Sequence, residues 1–156
     1  MLIKVAAIGQ RMPQWVTTAW QEYARRFPKS VRLELAELAM ERRGKNADID
    51  RLRNLEGRNL IAAIPKGAKA IALDISGKAW STREVASNLE DWMAGGRDIC
   101  LLVGGPDGLS ADCLSTVEGL WSLGPLTLPH PLVRVVLAEQ LYRAWSIVNH
   151  HPYHRE

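Results

Sequence analysis

Short apolar segments with the alternation typical of β-strands recur along the chain, and longer segments with helical periodicity separate them. The segments that predict strands are Leu2–Ile8, Val31–Leu38, Ala70–Ile75, Ile99–Val103 and, more briefly, Leu120–Leu123. Strands that alternate with helices over the whole length predict an α/β fold with a mostly parallel sheet flanked by helices. No linker, low-complexity tract or internal repeat interrupts the pattern, so we expect one domain over residues 1–156.

Helix start and stop signals lie between the apolar segments. Early prolines, capping serines and terminal glycines are the residue types that mark helix ends. They predict a first helix from Met12-Pro13 to Phe27, a second capped by Asn46 or Asp48 and ending near Ile64, a third from the capping box Ser81–Glu84 to Gly95-Gly96, a short fourth capped by Ser110, and a last from Pro131 to about Asn149.

The predicted last helix is apolar around almost its whole circumference. Glu139, Gln140, Arg143 and Ser146 form its polar stripe. A helix of this kind must be covered on more than one side. A single sheet covers only one side, so the pattern favours a second subunit on another side. An entirely internal helix is the alternative.

Composition and charge are those of an ordinary globular protein. The 156 residues are 47% apolar and 24% charged, and no apolar run approaches the ~20 residues of a membrane span. The N-terminal MLIKVAAIG continues directly into a strand pattern and does not resemble a signal peptide. Two cysteines, Cys100 and Cys113, are too few for a disulfide framework and favour a reducing, cytoplasmic location. The net charge of +3 and the pI near 9.1 mildly favour an anionic partner.

Three loops at predicted strand ends share the glycine, proline and acidic residues of shaped binding loops. They begin at Leu73-Asp74, Gly104–Gly108 and Leu123–Pro125. Ligands of open parallel sheets bind outside the carboxyl ends of the strands. In the third loop, three prolines within residues 125–131 restrict the backbone just before the last helix. These features predict a shaped binding site at this edge of the sheet.

The glycine-rich turn VGGPDGLS, at residues 103–110, differs from the common phosphate-binding motifs. It is neither GxGxxG nor GxxxxGK[ST], so it does not predict a dinucleotide site or a P-loop. By itself it is typical of a plain strand–helix connection. Its place beside the two other loops favours a role in binding.

Two residues near the start of the last helix have open roles. Arg134 lies in the first turn, where the helix dipole disfavours a cation. It is therefore expected either to meet an anion or a partner carboxylate, or to be simply solvated. His130 can contact a ligand or act as a base, but its position between two prolines favours a structural role.

The C-terminal tail, residues 149–156, concentrates aromatic, cationic and hydrogen-bonding side chains that suit RNA. Tyr153 is expected to stack on a base and Arg155 to bind a phosphate. The basic loop, Arg42–Asn46, is either a solvated loop or an accessory phosphate contact. Pro152 interrupts the helical spacing of the tail histidines, and no cysteine or carboxylate completes a ligand set, so we expect no metal.

These segments together resemble one family over essentially the whole chain. The matching segments are RRFPK at 25–29, RRGKNADI at 42–49, LDISGKAW at 73–80, GRDICLLVGGPDGLS at 96–110, WSLGPLTLPHPLVRVVLAEQLYRAWSI at 121–147 and HPYHRE at 151–156. On these motifs the chain resembles the bacterial ribosomal RNA large subunit methyltransferase H family. That family comprises the 23S rRNA pseudouridine-1915-N3 methyltransferases of the SPOUT superfamily.

The resemblance implies a SPOUT-type α/β knot, in which the C-terminal part of the chain threads a deep trefoil knot. It also implies a homodimer that binds S-adenosyl-L-methionine beside the subunit interface and requires no metal. The cofactor contacts that it implies lie on the three strand-end loops, at Leu73, Gly104, Leu123, Gly124, Pro125, Leu126, Thr127 and Leu128.

The reaction implied by the resemblance is methylation of N3 of pseudouridine 1915, in helix 69 of 23S rRNA, on the assembled 70S ribosome. The acceptor N3–H is mostly protonated at neutral pH, so a group must help its proton to leave. Tyr153, His154 and Arg155 are the predicted catalytic residues, for base contact, proton handling and phosphate binding. A non-catalytic ribosome-binding or assembly factor on the same fold is the alternative. A nucleotide-binding hydrolase would need a phosphate loop or metal carboxylates, which the sequence lacks.

Overall fold

The computed structural model of the chain describes residues 1–155. Glu156, the last residue of the predicted domain and of the tail, lies outside the described residues. The elements in chain order are β1 (Leu2–Ile8), α1 (Gln14–Ala24), β2 (Arg32–Leu38), α2 (Ile49–Ala62), β3 (Lys69–Ala79), α3 (Thr82–Gly95), β4 (Ile99–Val103), α4 (Ala111–Thr116), β5 (Gly119–Ser122) and α5 (His130–Val148).

The five strands form one sheet in the order β2-β1-β4-β3-β5. Every strand pairing in this sheet is parallel. The α/β fold with a parallel sheet flanked by helices, predicted from the alternation of strands and helices, is therefore confirmed. Helices connect successive parallel strands, as such a sheet requires.

Both faces of the sheet are covered by helices. Successive side chains of a strand point to opposite faces, so Val5 and Ala7 of β1 belong to a core shared with α1, α3 and α5, whereas Ala6 and Ile8 belong to a core shared with α2 and α4. Both sets are buried. Burial on two faces explains why the inner strands β1 and β4 are almost continuously apolar in the sequence.

Local signals located most helix ends to within two residues, but α1 ends at Ala24 and not at the predicted Phe27. Asp48, and not Asn46, caps α2, because its side chain accepts a hydrogen bond from the backbone N–H of Arg51 at 3.2 Å. The capping box at Ser81 is present, and Gly96 ends α3 in the left-handed conformation, with φ 68°. The predicted starts of α1 and α5 are slightly wrong, since Pro13 and Pro129 occupy the N-cap positions.

Strand β3 is longer than its sequence predicts, because it runs to Ala79 and not only to Ile75. Trp121 of β5 pairs with both Leu73 and Lys78, so the residues between them bulge out of the ladder. Ile75 on this bulge is 95% exposed. A long-range pairing with β5 thus extends a strand that the polar and glycine residues at 74–78 would end.

No helix among residues 1–155 combines the length and the apolar character needed to cross a membrane.

Replacing Ser81 by alanine should lower the free energy of unfolding by about 1 kcal/mol, because the first turn of α3 loses the hydroxyl that accepts from Glu84 N–H. Urea unfolding followed by circular dichroism measures the change. Ser87→Ala is the matched control, since Ser87 is exposed inside the same helix and alanine is a good helix former there. An equal loss in both variants would contradict the capping role.

Candidate active site

A cavity of about 460 Å³ opens at the carboxyl edge of β3, β4 and β5. Leu73 in β3 pairs with Val103 in β4 and with Trp121 in β5, so these three residues lie side by side at this edge of the sheet. The loops that follow these residues therefore begin side by side. His130 and Val133, in the first turn of α5, close the cavity. The three loops with binding-loop composition thus share one cavity.

The loop after β4 forms a wall of main chain. A Cβ atom at Gly104 would lie 2.8 Å from the carbonyl carbon of Gly108, which is closer than real side chains approach. Gly108 has φ 77°, and its N–H donates to the carbonyl oxygen of Gly105 at 3.0 Å in a tight turn. Both glycines are needed for this geometry, which brings backbone polar groups to the cavity surface.

The loop after β5 forms the opposite wall. Gly124 has φ 110°, and its N–H donates to Ser122 Oγ at 3.2 Å. Of the residues predicted to contact a cofactor, those that line the cavity are Leu73, Gly104, Leu123, Gly124, Leu126, Thr127 and Leu128. Pro125 is exposed and is not part of the lining.

Arg134 is completely buried and joins the start of α5 to the ends of β1 and β2. Its guanidinium donates to Glu37 Oε2 at 2.5 Å and to the carbonyl oxygen of Gly9 at 2.7 Å. Of the two alternatives that the sequence left open, the structure shows the carboxylate partner and excludes the solvated arginine. The same guanidinium lies 3.2 Å from Nε2 of His130. This hydrogen bond requires His130 Nε2 to act as the acceptor, because arginine can only donate.

His130 combines a structural contact with a place in the cavity lining. Burial and the neighbouring Arg134 cation lower the pKa of the imidazole. The ring is consequently neutral at physiological pH, as acceptance from Arg134 requires. The structural role that the sequence favoured is present, and the ring also borders the cavity.

A charged cluster that the sequence did not predict lies beneath the glycine turn. Arg43 donates to both carboxylate oxygens of Glu56, at 2.7 and 2.8 Å, and to Asp107 Oδ2 at 3.0 Å. Glu56 is 2% exposed, and its hydrogen bonds raise the pKa of Arg43. Arg43 is therefore not a solvated member of the basic loop. A carboxylate on the buried face of α2, beside Leu52 and Leu60, was the signal that could have revealed it.

The tail folds back onto α5. Tyr153 donates from its hydroxyl to Glu139 Oε1 at 3.0 Å, and its ring packs edge-on against Tyr142. The guanidinium carbon of Arg143 lies 5.1 Å from the Tyr153 ring centroid. Burial and the hydrogen bond to Glu139 contribute to a raised Tyr153 pKa, so the phenol is neutral. Arg155 is exposed.

The hydrogen bonds of His154 define which ring nitrogen is free. The Ser146 hydroxyl donates to the carbonyl oxygen of Arg143 at 2.7 Å. Its oxygen is then the acceptor in the 3.1 Å contact with His154 Nδ1. This arrangement leaves the lone pair of His154 on Nε2, where a proton can be accepted.

The cavity and the tail lie at opposite ends of α5. His130 borders the cavity at the first residue of the helix, whereas Ser146 holds the tail near its last turn. Along the helix, Ser146 lies about 24 Å from His130, and Glu139, which accepts from Tyr153, lies about 14 Å from it. The structure therefore does not bring Tyr153, His154 and Arg155 to the cavity of their own chain.

The donor groups in residues 1–155 form no site for a metal, since no three His, Cys, Asp or Glu side chains cluster closely enough to hold an ion. Cys100 and Cys113 are both buried, as expected of core residues. Burial raises the pKa of the Cys100 thiol to about 11.

His130 should make the fold less stable in mild acid. Its pKa is lower folded than unfolded, so the unfolded chain binds the proton more readily, and stability falls as the pH drops below the ordinary value of 6.5. As the pH falls from about 7.5 to about 5.5, the free energy of unfolding should therefore decrease more for the wild type than for His130→Gln. Urea titrations at several pH values measure it, and the subtraction cancels the other titrating groups. A difference independent of pH would contradict this role.

Comparison of the amino-acid sequence with models of known protein families gives a match over almost the whole chain. The family model described as "Predicted SPOUT methyltransferase" matches residues 1–154. The match includes all three cavity loops, the whole of α5 and the tail as far as His154.

Proposed function

The chain belongs to the SPOUT methyltransferase family, an S-adenosylmethionine-dependent family, and we propose that it methylates N3 of pseudouridine 1915 in helix 69 of 23S rRNA. The proposed substrate is the assembled 70S ribosome, and the proposed place of action is the cytoplasm. One observation carries the assignment: the three loops whose motifs resemble the methyltransferase H family converge on one cavity at the carboxyl edge of the sheet. The family's C-terminal trefoil knot belongs to the same proposal.

The cavity suits S-adenosylmethionine in size and chemistry. Its volume of about 460 Å³ is within the usual range for small-molecule sites. Leu73, Leu123 and Leu128 offer aliphatic walls for an adenine ring, and the main chain of the glycine turn offers hydrogen-bonding groups at close range. When bound, S-adenosylmethionine supplies a methyl group on a positively charged sulfur, which leaves as a neutral thioether.

The chain's own residues have to orient the acceptor nitrogen and remove its proton. We assign the proton to Nε2 of His154, which becomes an imidazolium as N3 gains its bond to carbon. Alignment of the acceptor in the cavity supplies much of the rate. Tyr153 holds the tail through Glu139 and keeps part of its half-buried ring for contact with a base. Exposed Arg155 pairs with an RNA phosphate.

The proposed functional unit is a homodimer in which each tail serves the partner's cavity. No tail residue among residues 149–155 lines the cavity, and Ser146, which contacts His154, lies about 24 Å along α5 from His130, which supports a tail that serves the partner's cavity. Two α5 helices that cross antiparallel about a twofold axis bring the C-terminal end of one beside the N-terminal end of the other. Partly exposed apolar residues of α5, such as Leu132, Val135 and Val136, offer the surface for this contact.

Radiolabelled methyl transfer to purified 70S ribosomes tests the reaction directly. We expect one methyl group per ribosome at N3 of the target pseudouridine, and none on free RNA fragments. A chain that binds ribosomes without transferring the label would instead be the non-catalytic factor.

Gly104→Ala should weaken S-adenosylmethionine binding about tenfold or more, or ~1.4 kcal/mol. The added methyl group would overlap the main chain of Gly108, so the wall has to move. Isothermal titration calorimetry measures the affinity, and a thermal melt shows whether the variant is folded. Gly95→Ala is the matched control, since a Cβ there meets nothing within 4 Å. Unchanged affinity in folded Gly104→Ala would remove the glycine turn from the cofactor site.

At a cofactor concentration well below the dissociation constant of Gly104→Ala, a mixture of His154→Ala and Gly104→Ala chains should be more active than either variant alone. If the tail acts on the partner's cavity, each mixed dimer keeps one intact site. Random mixing of equal amounts then gives about a quarter of the wild-type rate. The measurement is methyl transfer after the subunits are unfolded and refolded together.

Two results would contradict parts of this scheme. A mixture no more active than its parents would mean that each tail serves its own cavity. Full turnover by the His154→Ala chain alone would remove His154 as the proton acceptor.

A further inference from the structure

Arg43 is the centre of a charged cluster that touches both the cavity wall and the basic loop. We call Arg43, Glu56 and Asp107 the Arg43 cluster. The fork of Arg43 binds Glu56 through two hydrogen bonds and Asp107 through a third. A fourth runs to the carbonyl oxygen of Glu41 at 2.7 Å. The position of this one guanidinium is thus fixed from several directions.

The acidic members of the cluster connect it to the cavity wall. Asp107 belongs to the glycine turn and lines the cavity. Glu56 lies directly under the same turn, because a Cβ at Gly105 would be 3.1 Å from its carboxylate oxygen. Glu56 also accepts from the backbone N–H of Glu41 at 2.9 Å. A shift of Arg43 therefore moves the groups that support the wall.

The basic member connects the cluster to the surface. Arg43 lies in the basic loop between Arg42 and Gly44, with Lys45 one residue further. Arg42 and Lys45 are exposed, whereas Arg43 is only 19% exposed. Arg42 and Lys45 therefore face the solvent, whereas the guanidinium of Arg43 is hydrogen-bonded inside the protein. A phosphate held by the outer cations restricts the same short stretch of backbone that positions Arg43.

We propose that Arg43 is a positioning residue that couples the basic loop to the cavity, so that RNA held at Arg42 and Lys45 and cofactor held beside the glycine turn strengthen each other's binding. This inference rests on the proposed function. The coupling is reciprocal by thermodynamic necessity, and ordering of one loop lowers the cost of ordering the other. Typical couplings of this kind change affinity by about fivefold or more.

The test compares cofactor-product affinity with and without ribosomes. Equilibrium dialysis of radiolabelled S-adenosylhomocysteine with the full-length chain gives a dissociation constant alone and with saturating 70S ribosomes that lack the methyl group. Arg43→Lys keeps the charge but loses the bidentate fork. Asp107→Asn removes the carboxylate charge that pairs the turn with Arg43 and leaves the buried Glu56 paired. Arg58→Lys, on the exposed surface of α2, is the matched control.

For the wild type and Arg58→Lys, we expect ribosomes to lower the dissociation constant at least about fivefold. In Arg43→Lys and Asp107→Asn, the ratio of the dissociation constant without ribosomes to that with ribosomes should fall close to one. The double variant Arg42→Gln/Lys45→Gln should bind S-adenosylhomocysteine as tightly as the wild type when ribosomes are absent. Its ratio of the two dissociation constants should nevertheless fall close to one. This pattern separates coupling from damage to the cavity, because a merely structural defect weakens binding equally in both conditions.

Three results would overturn the inference. A wild-type ratio of one would show no coupling, and a wild-type ratio retained in folded Arg43→Lys and Asp107→Asn would show that coupling bypasses the cluster. A wild type that binds no S-adenosylhomocysteine and methylates no ribosomes would contradict the proposed function itself. Cofactor binding and methyl transfer with a ratio of one would leave the proposed function standing.

Discussion

The placement of α5 depends on one buried guanidinium. Arg134 is 0% exposed and ties the first turns of the helix to Glu37 in β2 and to the carbonyl oxygen of Gly9 after β1. Because a buried charge without a partner is costly, the guanidinium needs both the carboxylate of the exposed Glu37 and the Gly9 carbonyl oxygen. These hydrogen bonds fix the start of the helix against the ends of β1 and β2. The cavity wall at His130 and the anchor of the tail both follow from that position.

The fixed helix separates two kinds of chemistry. At its start, main chain and aliphatic side chains form a shaped cavity with few charges. At its end, Tyr153 and His154 are held by polar side chains of the helix itself. The first environment suits a small molecule, and the second suits a polyanion. The helix fixes the distance between the two environments, and the proposed homodimer would bring them together across its twofold axis.

The parts of the fold that local chemistry determines could be predicted from the sequence. Apolar strands, the Ser81 capping box and the cavity loops depend on neighbouring residues and on the general rule for parallel sheets. The extension of β3 to Ala79 depends on a distant pairing with β5 and has no local signal. The Arg43 cluster joins residues up to 64 positions apart, and its one local signal, Glu56 on the buried face of α2, does not identify the partner. The separation of tail and cavity could have been predicted, because the uninterrupted last helix already implied its length.

The two cysteines have a practical consequence for spectroscopy. Cys100 and Cys113 are both buried, and burial raises the pKa of each thiol, so neither presents a thiolate to a reagent in solution. We therefore expect the folded chain to react slowly with maleimide dyes and spin labels. A single cysteine introduced on the exposed bulge at Ile75 or in the basic loop would carry a label at one defined place, with no need to remove the native thiols.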